Sequence, residues 1–547
     1  MPKNIFKEAI DGLKEFSPSE RRNIILYIIG IMIYKFGLEC FNGSIVALAT
    51  NRYDYDASLS GTTSKTFERV GLLTGLNQAM QCVGSIIIAP LIKQYPTKNV
   101  LSGAIMVFGI FTAILLIVDA ATGGTWIPEE YKGLNHPDDQ FEYYGKFNTD
   151  GMIPIYAVCG VAYGMVELIR RIIPRDIVGG NVQKLRRMDS VVHVFYEITG
   201  TTGAFVTALV LIPQLGNNRA FIVTPVAFLF CAISWFFISD LGHKENKDKG
   251  QVLANQPGYI KATLGGFWLF FESIGVGAKI LFTSRKFIWL VPGYAIALYG
   301  HRYLENGIAP QVARRYLGQS GWSQLMVGGS NMGELLGALV VFLSNNYVQT
   351  PMPWLRLDSL FLLIVWYIPF WRPPRNQVGQ AWLVAATFVP ISFGWAAGDV
   401  SLAAYIQASL ARLESKNKNV SALGAVMAFL YSFYIVMYAI LGTFLGRYLD
   451  GVYNASGGSD GGSISDGLVY TAGVQFTIIF LLVLASTFVP KGAVAFNPKM
   501  LYGETLDDEV DMKQTDSADN SPVVRPGSHK NTYGFDVGDE KKPAIVI

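Results

Sequence analysis

Twelve stretches of predominantly apolar residues recur along the chain, and most are about as long as a bilayer-spanning helix. About 20 helical residues cover the roughly 30 Å hydrocarbon core of a membrane. The stretches lie at 23–49, 70–92, 99–121, 152–171, 190–213, 221–240, 287–308, 321–344, 357–371, 381–411, 420–446 and 468–489. The sequence therefore predicts an all-α integral membrane protein with twelve transmembrane helices in two six-helix halves.

The composition agrees with a membrane protein. Only 16% of the 547 residues are charged and 51% are hydrophobic, whereas soluble domains carry about 25% charged residues. These values exclude an ordinary soluble enzyme, a disordered protein and a coiled coil. The net charge of +3 is too small to indicate nucleic-acid binding. The four cysteines lie far apart without CxxC spacing, so we expect no disulfide framework, metal site or cofactor.

The distribution of Lys and Arg predicts the orientation of the first half. In this half and the central loop, eighteen basic residues fall on the side of the N-terminus and six on the other. Because cytoplasmic loops are enriched in Lys and Arg, we expect both termini in the cytoplasm. In the second half, six basic residues fall on the side of the N-terminus and five on the other, so the count does not decide the orientation of this half. The membrane is expected to be the plasma membrane or a vacuolar or other organelle membrane.

The chain divides into five predicted segments. These are a cytoplasmic amphipathic N-terminus (1–22), a six-helix half (23–240), a cytoplasmic linker (241–286), a second six-helix half (287–489) and a disordered cytoplasmic tail (490–547). Residues 263–283 are long enough to span the bilayer, which would reverse every later helix. Because Glu272 and Lys279 fall within this stretch, we expect a helix that lies in the cytoplasmic interface. Asn454 in an outer loop starts an N-glycosylation acceptor sequence.

Ionisable residues inside the spans repeat with a period of three helices. Spans 1, 4, 7 and 10 carry them, whereas spans 3, 6, 9 and 12 have essentially no buried charge. This period is typical of nested three-helix repeats whose first helices line a central cavity. Spans 5 and 8 add further polar groups. Because intramembrane charges are costly and usually functional, the predicted substrate and proton pathway comprises Lys35, Glu39, Glu167, Arg170, His193, Glu197, Arg302, Glu305, Asn331, Glu334 and Asp399.

Several of these residues are spaced to pair along one helix face. The i,i+4 pairs are Lys35 with Glu39, Glu167 with Arg171, His193 with Glu197, and His301 with Glu305, and the i,i+3 pair is Arg302 with Glu305. Each pair leaves a carboxylate whose proton affinity depends on its partner. The first proton-coupling candidates are Glu39, Glu167, Glu305 and Asp399, followed by Glu197 and Glu334. The alternative is that the pairs are fixed ion pairs between helices.

The six-plus-six layout with a long central loop resembles the major facilitator superfamily, most closely its fungal-type permeases. The superfamily signature G-x-x-x-D-R-x-G-R-[KR] is expected at Ala89 to Lys98, where only its final basic residue, Lys98, is present. A second signal is the run Arg170-Arg171-Ile172-Ile173-Pro174-Arg175 after span 4. The resemblance implies an arginine motif in this loop that pairs with acidic residues. The gating candidates are Lys98, Arg171, Arg175, Arg187 and Asp189.

The predicted function is secondary active transport of a small solute by alternating access, coupled to protons. The chain contains no G-x-x-x-x-G-K-[ST] sequence for ATP binding, and its five histidines are not clustered as a membrane di-iron enzyme requires. The expected partners are a small-molecule substrate, protons and the lipid bilayer, and we expect a monomer. Alternatives are a proton-driven exporter of metabolites or drugs, a non-transporting sensor, and a transition-metal transporter such as one for copper. Soft ligands for a metal are Met80, Cys82, Met326 and Met332.

Overall fold

The computed structural model describes residues 16–498 and 501, apart from 135, 137, 179–181, 240–257, 345–346 and 411–420. Most of the predicted N-terminal segment, the start of the linker and nearly all of the predicted tail therefore lie outside the described residues. Every regular element in the described part is helical. Eleven helices there are long and apolar enough to cross a membrane, and Tyr259–Thr283 of the predicted linker is one of them, while Ala220–Phe236 is a shorter apolar helix.

The first half contains six helices. They are α1 (Pro18–Ser60), α2 (Thr66–Gln94), α3 (Thr97–Ala121), α4 (Met152–Val178), α5 (Val182–Val206) and α6 (Val223–Phe236). A π-helical stretch, Thr207–Leu211, and a short α-helix, Ile212–Leu215, extend α5. α1 begins with a capping box, in which the Ser17 hydroxyl accepts from the Glu20 amide and the Glu20 carboxylate accepts from the Ser17 amide.

The linker helix and the second half contain seven helices. They are α7 (Tyr259–Thr283), α8 (291–316), α9 (Ser323–Ser344), α10 (Met352–Leu362), α11 (Val378–Leu410), α12 (Ala422–Ala455) and α13 (Ser465–Ser486). A 3₁₀ stretch, Leu363–Phe370, completes α10. The twelve predicted spans thus correspond to all of these helices except α7. The predicted sides of the membrane serve below as labels: α1 ends at the outer face, and α2 ends at the cytoplasmic face.

α8 is irregular and lies later in the chain than the span predicted at 287–308. Three π-helical segments, Val291–Ile296, Leu304–Ile308 and Val312–Tyr316, alternate with short α-helical ones. Pro310, which lacks an amide hydrogen, lies between the second and third of them. π-segments are frequent at functional sites. Here they carry α8 on to Arg314 and Arg315, which hydropathy assigns to an outer loop.

α7 lies across the predicted cytoplasmic ends of α2 and α12. Near its start, the Tyr259 hydroxyl donates to the Ile87 carbonyl of α2 at 3.1 Å. Near its end, Gly277 packs against the Ala425 carbonyl, and the Phe282 ring meets Phe429 of α12. Both ends of α7 therefore contact the helix pair α2 and α12. Its place in the cytoplasmic interface stays a prediction, since α7 is itself long and apolar enough to cross a membrane. The side of α7 that faces away from the bundle presents exposed apolar residues.

Each half has its own buried apolar core, and two helix pairs join the halves. The first core runs from Phe16 to Ile238, and the second consists almost entirely of residues after Phe287. α2 packs against α12, and α5 packs against α9. Gly71 of α2 faces the Gly442 carbonyl of α12 so closely that a side chain at Gly71 would strike backbone. Such small residues allow helices in a membrane to approach closely.

Candidate functional site

Lys35 and Glu39 of α1 form a buried ion pair at the centre of the molecule. The Lys35 ammonium lies 2.5 Å from Glu39 Oε1, and both side chains are at most 10% exposed. The other carboxylate oxygen of Glu39 accepts from Gln324 Nε2 of α9 at 2.6 Å. Asn331 of α9 donates to Glu39 Oε1 at 3.3 Å. The predicted i,i+4 pair is therefore present, and its carboxylate also joins the first half to the second.

A second ion pair on α4 joins Glu167 to Arg170. Arg170 Nη2 lies 2.6 Å from Glu167 Oε2, and the Tyr34 hydroxyl donates to the other oxygen at 2.9 Å. The sequence spacing favoured Arg171 as the partner, but Arg170 takes this position. The Tyr196 ring of α5 lies 4.6 Å from both the Lys35 ammonium and the Arg170 guanidinium. This ring therefore connects the two pairs by cation–π contacts.

A third ion pair lies on α8, as its i,i+3 spacing predicts. Arg302 Nη1 donates to Glu305 Oε2 at 2.7 Å, and the Ser330 hydroxyl of α9 donates to Oε1 at 2.5 Å. Glu305 is buried, whereas the Arg302 side chain is 40% exposed. Both Glu305 oxygens are therefore occupied, while part of the Arg302 guanidinium remains exposed beside the other central charges.

Two carboxylates, Glu197 of α5 and Glu334 of α9, lie among these pairs without a salt bridge to any described residue. Glu197 is 3% exposed, and its Oε2 accepts no hydrogen bond from the part of the chain that the structure describes. The predicted pairing of Glu197 with His193 is absent from the described ion pairs. Instead, His193 is exposed, and its electrostatic neighbours are Arg170, Asp399 and Lys35. Glu197 and Glu334 interact electrostatically with each other.

Asp399 of α11 has its charged neighbours on other helices, as its sequence surroundings predict. These neighbours are Arg171, Arg302 and His193. Asp399 is half-buried, and Arg171 lies beside Tyr431 of α12. The structure thus brings all eleven predicted pathway residues together in one connected group between the halves, and the region they occupy is called the central chamber below. Their part in transport stays a prediction.

A buried pair that the sequence pattern missed joins α8 to α10. His301 Nε2 lies 2.9 Å from Asp358 Oδ1, and the two side chains are 4% and 0% exposed. The Trp395 ring of α11 stacks on the imidazole at 5.1 Å. The prediction that His301 pairs with Glu305 is therefore wrong, because a carboxylate from a neighbouring helix reaches the imidazole.

The prediction that spans 3, 6, 9 and 12 lack buried charge is also wrong for two of them. Asp358 belongs to span 9, and Asp119 of span 3 is 1% exposed. Asp119 lies at the outer end of α3, where it accepts from Asn218 Nδ2 at 3.0 Å and lies 3.3 Å from Arg219 Nε. Each of these buried carboxylates has partners from other parts of the chain: an imidazole for Asp358, and a guanidinium and an amide for Asp119.

The outer face is closed by a cluster of charges on both halves. Arg315, at the end of α8, donates to both carboxylate oxygens of Asp54 on α1, each at 2.7 Å. Arg314 donates to Asp54 at 2.7 Å and to Asp139 of the loop after α3 at 2.9 Å. Asp138 of the same loop accepts from the Ser320 amide at 2.6 Å. The sequence signal was the pair of adjacent arginines just after an apolar span.

The α2–α12 side of the outer face is closed as well. Asp450 Oδ2 accepts from the backbone amides of Phe67 and Glu68, each at 2.9 Å. The Asn454 side-chain amide both donates to the Ser64 carbonyl at 2.9 Å and accepts from its amide at 3.0 Å. Glycosylation of Asn454 stays a prediction, and a sugar would be attached to the same Nδ2 atom that donates to the Ser64 carbonyl.

The predicted gating residues lie at the opposite face. Lys98 is half-buried with its ammonium 5.6 Å from the Phe236 ring centre, while Arg175 and Asp189 are exposed. The side chain of Arg187 lies outside the described residues. Asp189 has Arg170 as an electrostatic neighbour. Their role as a gate stays a prediction.

The described residues contain no group of three or more His, Cys, Asp or Glu arranged to hold a metal ion. The soft ligands predicted for a metal differ in their surroundings. Met326 is fully buried, Met332 is 44% exposed and Cys82 is half-buried. A metal as cargo therefore gains no support from these side chains.

No family model and no curated protein sequence matches the chain. Solved structures do match its fold. A mutant of a nucleoside transporter, NupG, matches with 11% identity and a TM-score of 0.54 over 84% of this chain and 99% of that one. A D-xylose–proton symporter matches with 13% identity and a TM-score of 0.54 over 89% and 99%.

A peptide transporter, POT, in complex with sulfate also matches, with 11% identity and a TM-score of 0.54 over 88% of this chain and 96% of that one. At these identities the matches show the fold alone. The finer resemblance to fungal-type permeases stays a prediction. The chain is an all-helical integral membrane protein that shares its fold with these solved transporters, which is the fold that its resemblance to the major facilitator superfamily implies.

Proposed function

We propose that the protein is a secondary active transporter that moves a small solute by alternating access, coupled to protons. The observation that carries the proposal is the convergence of charged residues from six helices on one chamber between two halves. A site at the interface of two halves becomes accessible from either side when the halves rock against each other. The structural neighbours named as transporters support this proposal through their shared fold.

The distribution of contacts supports a state that is closed to the outer side. The Asp54 side chain is 10% exposed, and the Arg315 side chain is 6% exposed. By contrast, Arg171 and His193 are exposed and still interact with the central charges. Water and solute would therefore reach the chamber from the predicted cytoplasmic face.

The hydrogen bonds change the order of the proton-coupling candidates. Glu39, Glu167 and Glu305 each have a basic partner on the same helix and at least one further donor. The partners of these three carboxylates are therefore already in place. Glu197, Glu334 and Asp399 have no such fixed partner among the described residues, so we assign the mobile proton to these three.

Two alternatives have less support. A membrane enzyme needs clustered catalytic or metal-ligating groups, whereas the central groups here form ion pairs within single helices, and Glu39 is joined to the second half by hydrogen bonds that can rearrange. A non-transporting sensor would keep the fold without needing charges along a central path. We therefore favour transport, with a polar or charged solute as cargo.

Uptake by purified protein in proteoliposomes tests the proposal. Vesicles with an imposed pH gradient would be exposed to a panel of labelled amines, sugars, nucleosides, amino acids and carboxylic acids. We expect at least one class to accumulate, and a protonophore to abolish the accumulation. Equal accumulation with and without the gradient would remove the proton coupling, and the absence of protein-dependent movement of any class would contradict transport.

A further inference from the structure

Helices α5 and α9 bring two acidic residues from opposite halves to one level of the chamber. Contacts between the helices join Ile212 to Gly321, Phe205 to Gly328, and Gly200 to Asn331. Residue numbers rise along one helix as they fall along the other, so the helices run antiparallel.

Glu197 lies three residues before Gly200, and Glu334 lies three residues after Asn331. Since Gly200 and Asn331 are in contact, both carboxylates lie about 4.5 Å further along the helix axes, on the same side of this contact. They therefore meet at one depth in the chamber.

Like Asp399, these two acids have no salt bridge to any described residue, and they are the two that lie at one level on facing helices. The cations Lys35, Arg170 and Arg302 already have their own carboxylates in salt bridges of 2.5–2.7 Å. The charged groups that face Glu197 and Glu334 from the surrounding helices are Lys35, Glu39, Arg170, Arg302 and Glu305. A buried carboxylate without a partner is costly, and either a proton or a bound cation removes that cost.

Resting on the proposed transport function, we propose that Glu197 and Glu334 bind the positively charged nitrogen of an organic substrate, in exchange for a proton. When the cationic nitrogen enters, the proton held on the pair leaves from a carboxyl O–H to water. When the cation leaves, a proton returns. One positive charge replaces another, so the exchange is electroneutral for a monovalent cation. The orphaned Oε2 of buried Glu197 is the observation that points to a ligand here.

A matched set of probes tests this site on the full-length protein in lipid nanodiscs. Benzylammonium, benzyl alcohol and benzoate share one ring and differ in charge. We expect benzylammonium alone to raise the thermal unfolding midpoint. Its affinity should fall as the pH is lowered from 8 to 6, by up to about tenfold per pH unit, because one proton competes with one cation. Binding should also release protons into a weakly buffered solution.

Variants separate the site from general effects on stability. Glu197→Gln and Glu334→Gln should each abolish stabilisation by benzylammonium and the proton release, whereas Glu197→Asp should retain both. Glu129→Gln, at an 88% exposed side chain in an outer loop, should match the native protein. The proposal is overturned if benzylammonium fails to stabilise the native protein, if both amide variants still bind it, or if the neutral or anionic probe stabilises equally.

The uptake panel distinguishes failure of this inference from failure of the proposed function. If only neutral or anionic solutes accumulate in response to the gradient, the cation site is overturned and the proposed transport function is retained. If benzylammonium binds and its binding requires Glu197, but no solute moves in response to the gradient, the transport function is overturned and the cation site is retained.

Discussion

Arg315 and Asp54 form a bidentate ion pair, with both N–O distances at 2.7 Å. Asp54 lies on the first helix of one half, and Arg315 lies at the end of the first helix of the other. The pair therefore joins corresponding positions of the two halves across the outer face. A bidentate pair has a defined geometry as well as a favourable energy, which suits a contact that must form and break as a unit.

Asp54→Asn is expected to open the outer face. It leaves Arg314 and Arg315 without their shared carboxylate, and loss of one partner from a buried pair costs about 3–5 kcal/mol. A cysteine at half-buried Asn306 of α8 should then react at least about tenfold faster with a membrane-impermeant maleimide added outside. Asp139→Asn removes a partner whose side chain is 66% exposed and should have a much smaller effect. Equal rates in the two variants would count against the gate.

Lys35 and Glu39 are expected to act as a structural unit. Glu39→Gln alone leaves a buried ammonium without its partner and should lower the thermal unfolding midpoint markedly, since such losses cost about 3–5 kcal/mol. Lys35→Met with Glu39→Gln should recover much of this stability. A thermal double-mutant cycle measures the coupling. Additive single effects would show that the pair contributes no interaction energy.

The buried His301–Asp358 pair should show the same behaviour within the second half. Asp358→Leu leaves the imidazole against the Trp395 ring without its hydrogen-bond partner, so we expect destabilisation by about 1–3 kcal/mol. His301→Phe combined with Asp358→Leu replaces both polar groups by apolar ones and should be more stable than Asp358→Leu alone. If the double variant is no more stable than Asp358→Leu, the two side chains are not partners.

Close packing of α2 on α12 predicts that Gly71→Leu disturbs the outer closure. The new side chain meets the Gly442 backbone, and overpacking of this kind costs typically about 1–3 kcal/mol. Gly103→Leu on α3 is the matched control, because an added Cβ there meets nothing within 4 Å. Maleimide labelling at Asn306 should accelerate in Gly71→Leu only. Acceleration in both variants would point to a general loss of structure.

The positions of the helices were predictable from the sequence, whereas the partners of the charged side chains were not. Eleven of the twelve predicted spans lie largely within helices close to their predicted positions, since apolar length is a local property. The span at 287–308 was misplaced because π-segments and Pro310 let α8 continue through polar residues. The high cost of burying charge in lipid is the reason to expect Lys35 and Asp399 in a shared chamber, which is where the structure has them.

Pairing depends on contacts between distant segments. The i,i+4 spacing predicted Arg171 as the partner of Glu167, whereas in the structure Arg171 lies beside Tyr431 and Arg170, packed on the Tyr196 ring, takes the carboxylate. Asp54 and Arg315 are 261 residues apart in the sequence, so no periodicity within one helix joins them. The central acids likewise differ only in their tertiary partners, which is why the sequence ranked Glu39 above Glu197.

A distance measurement across the outer face tests alternating access most directly. Spin labels at Leu59 and Gln377, exposed near the outer ends of α1 and α11, would be followed by double electron–electron resonance in nanodiscs. We predict a short distance in the native protein and a second, longer population in Asp54→Asn, while a pair within the first half, Leu59 with Lys132, keeps its distance. One unchanged distance in both proteins, at pH 6 and at pH 8, would contradict alternating access through this gate.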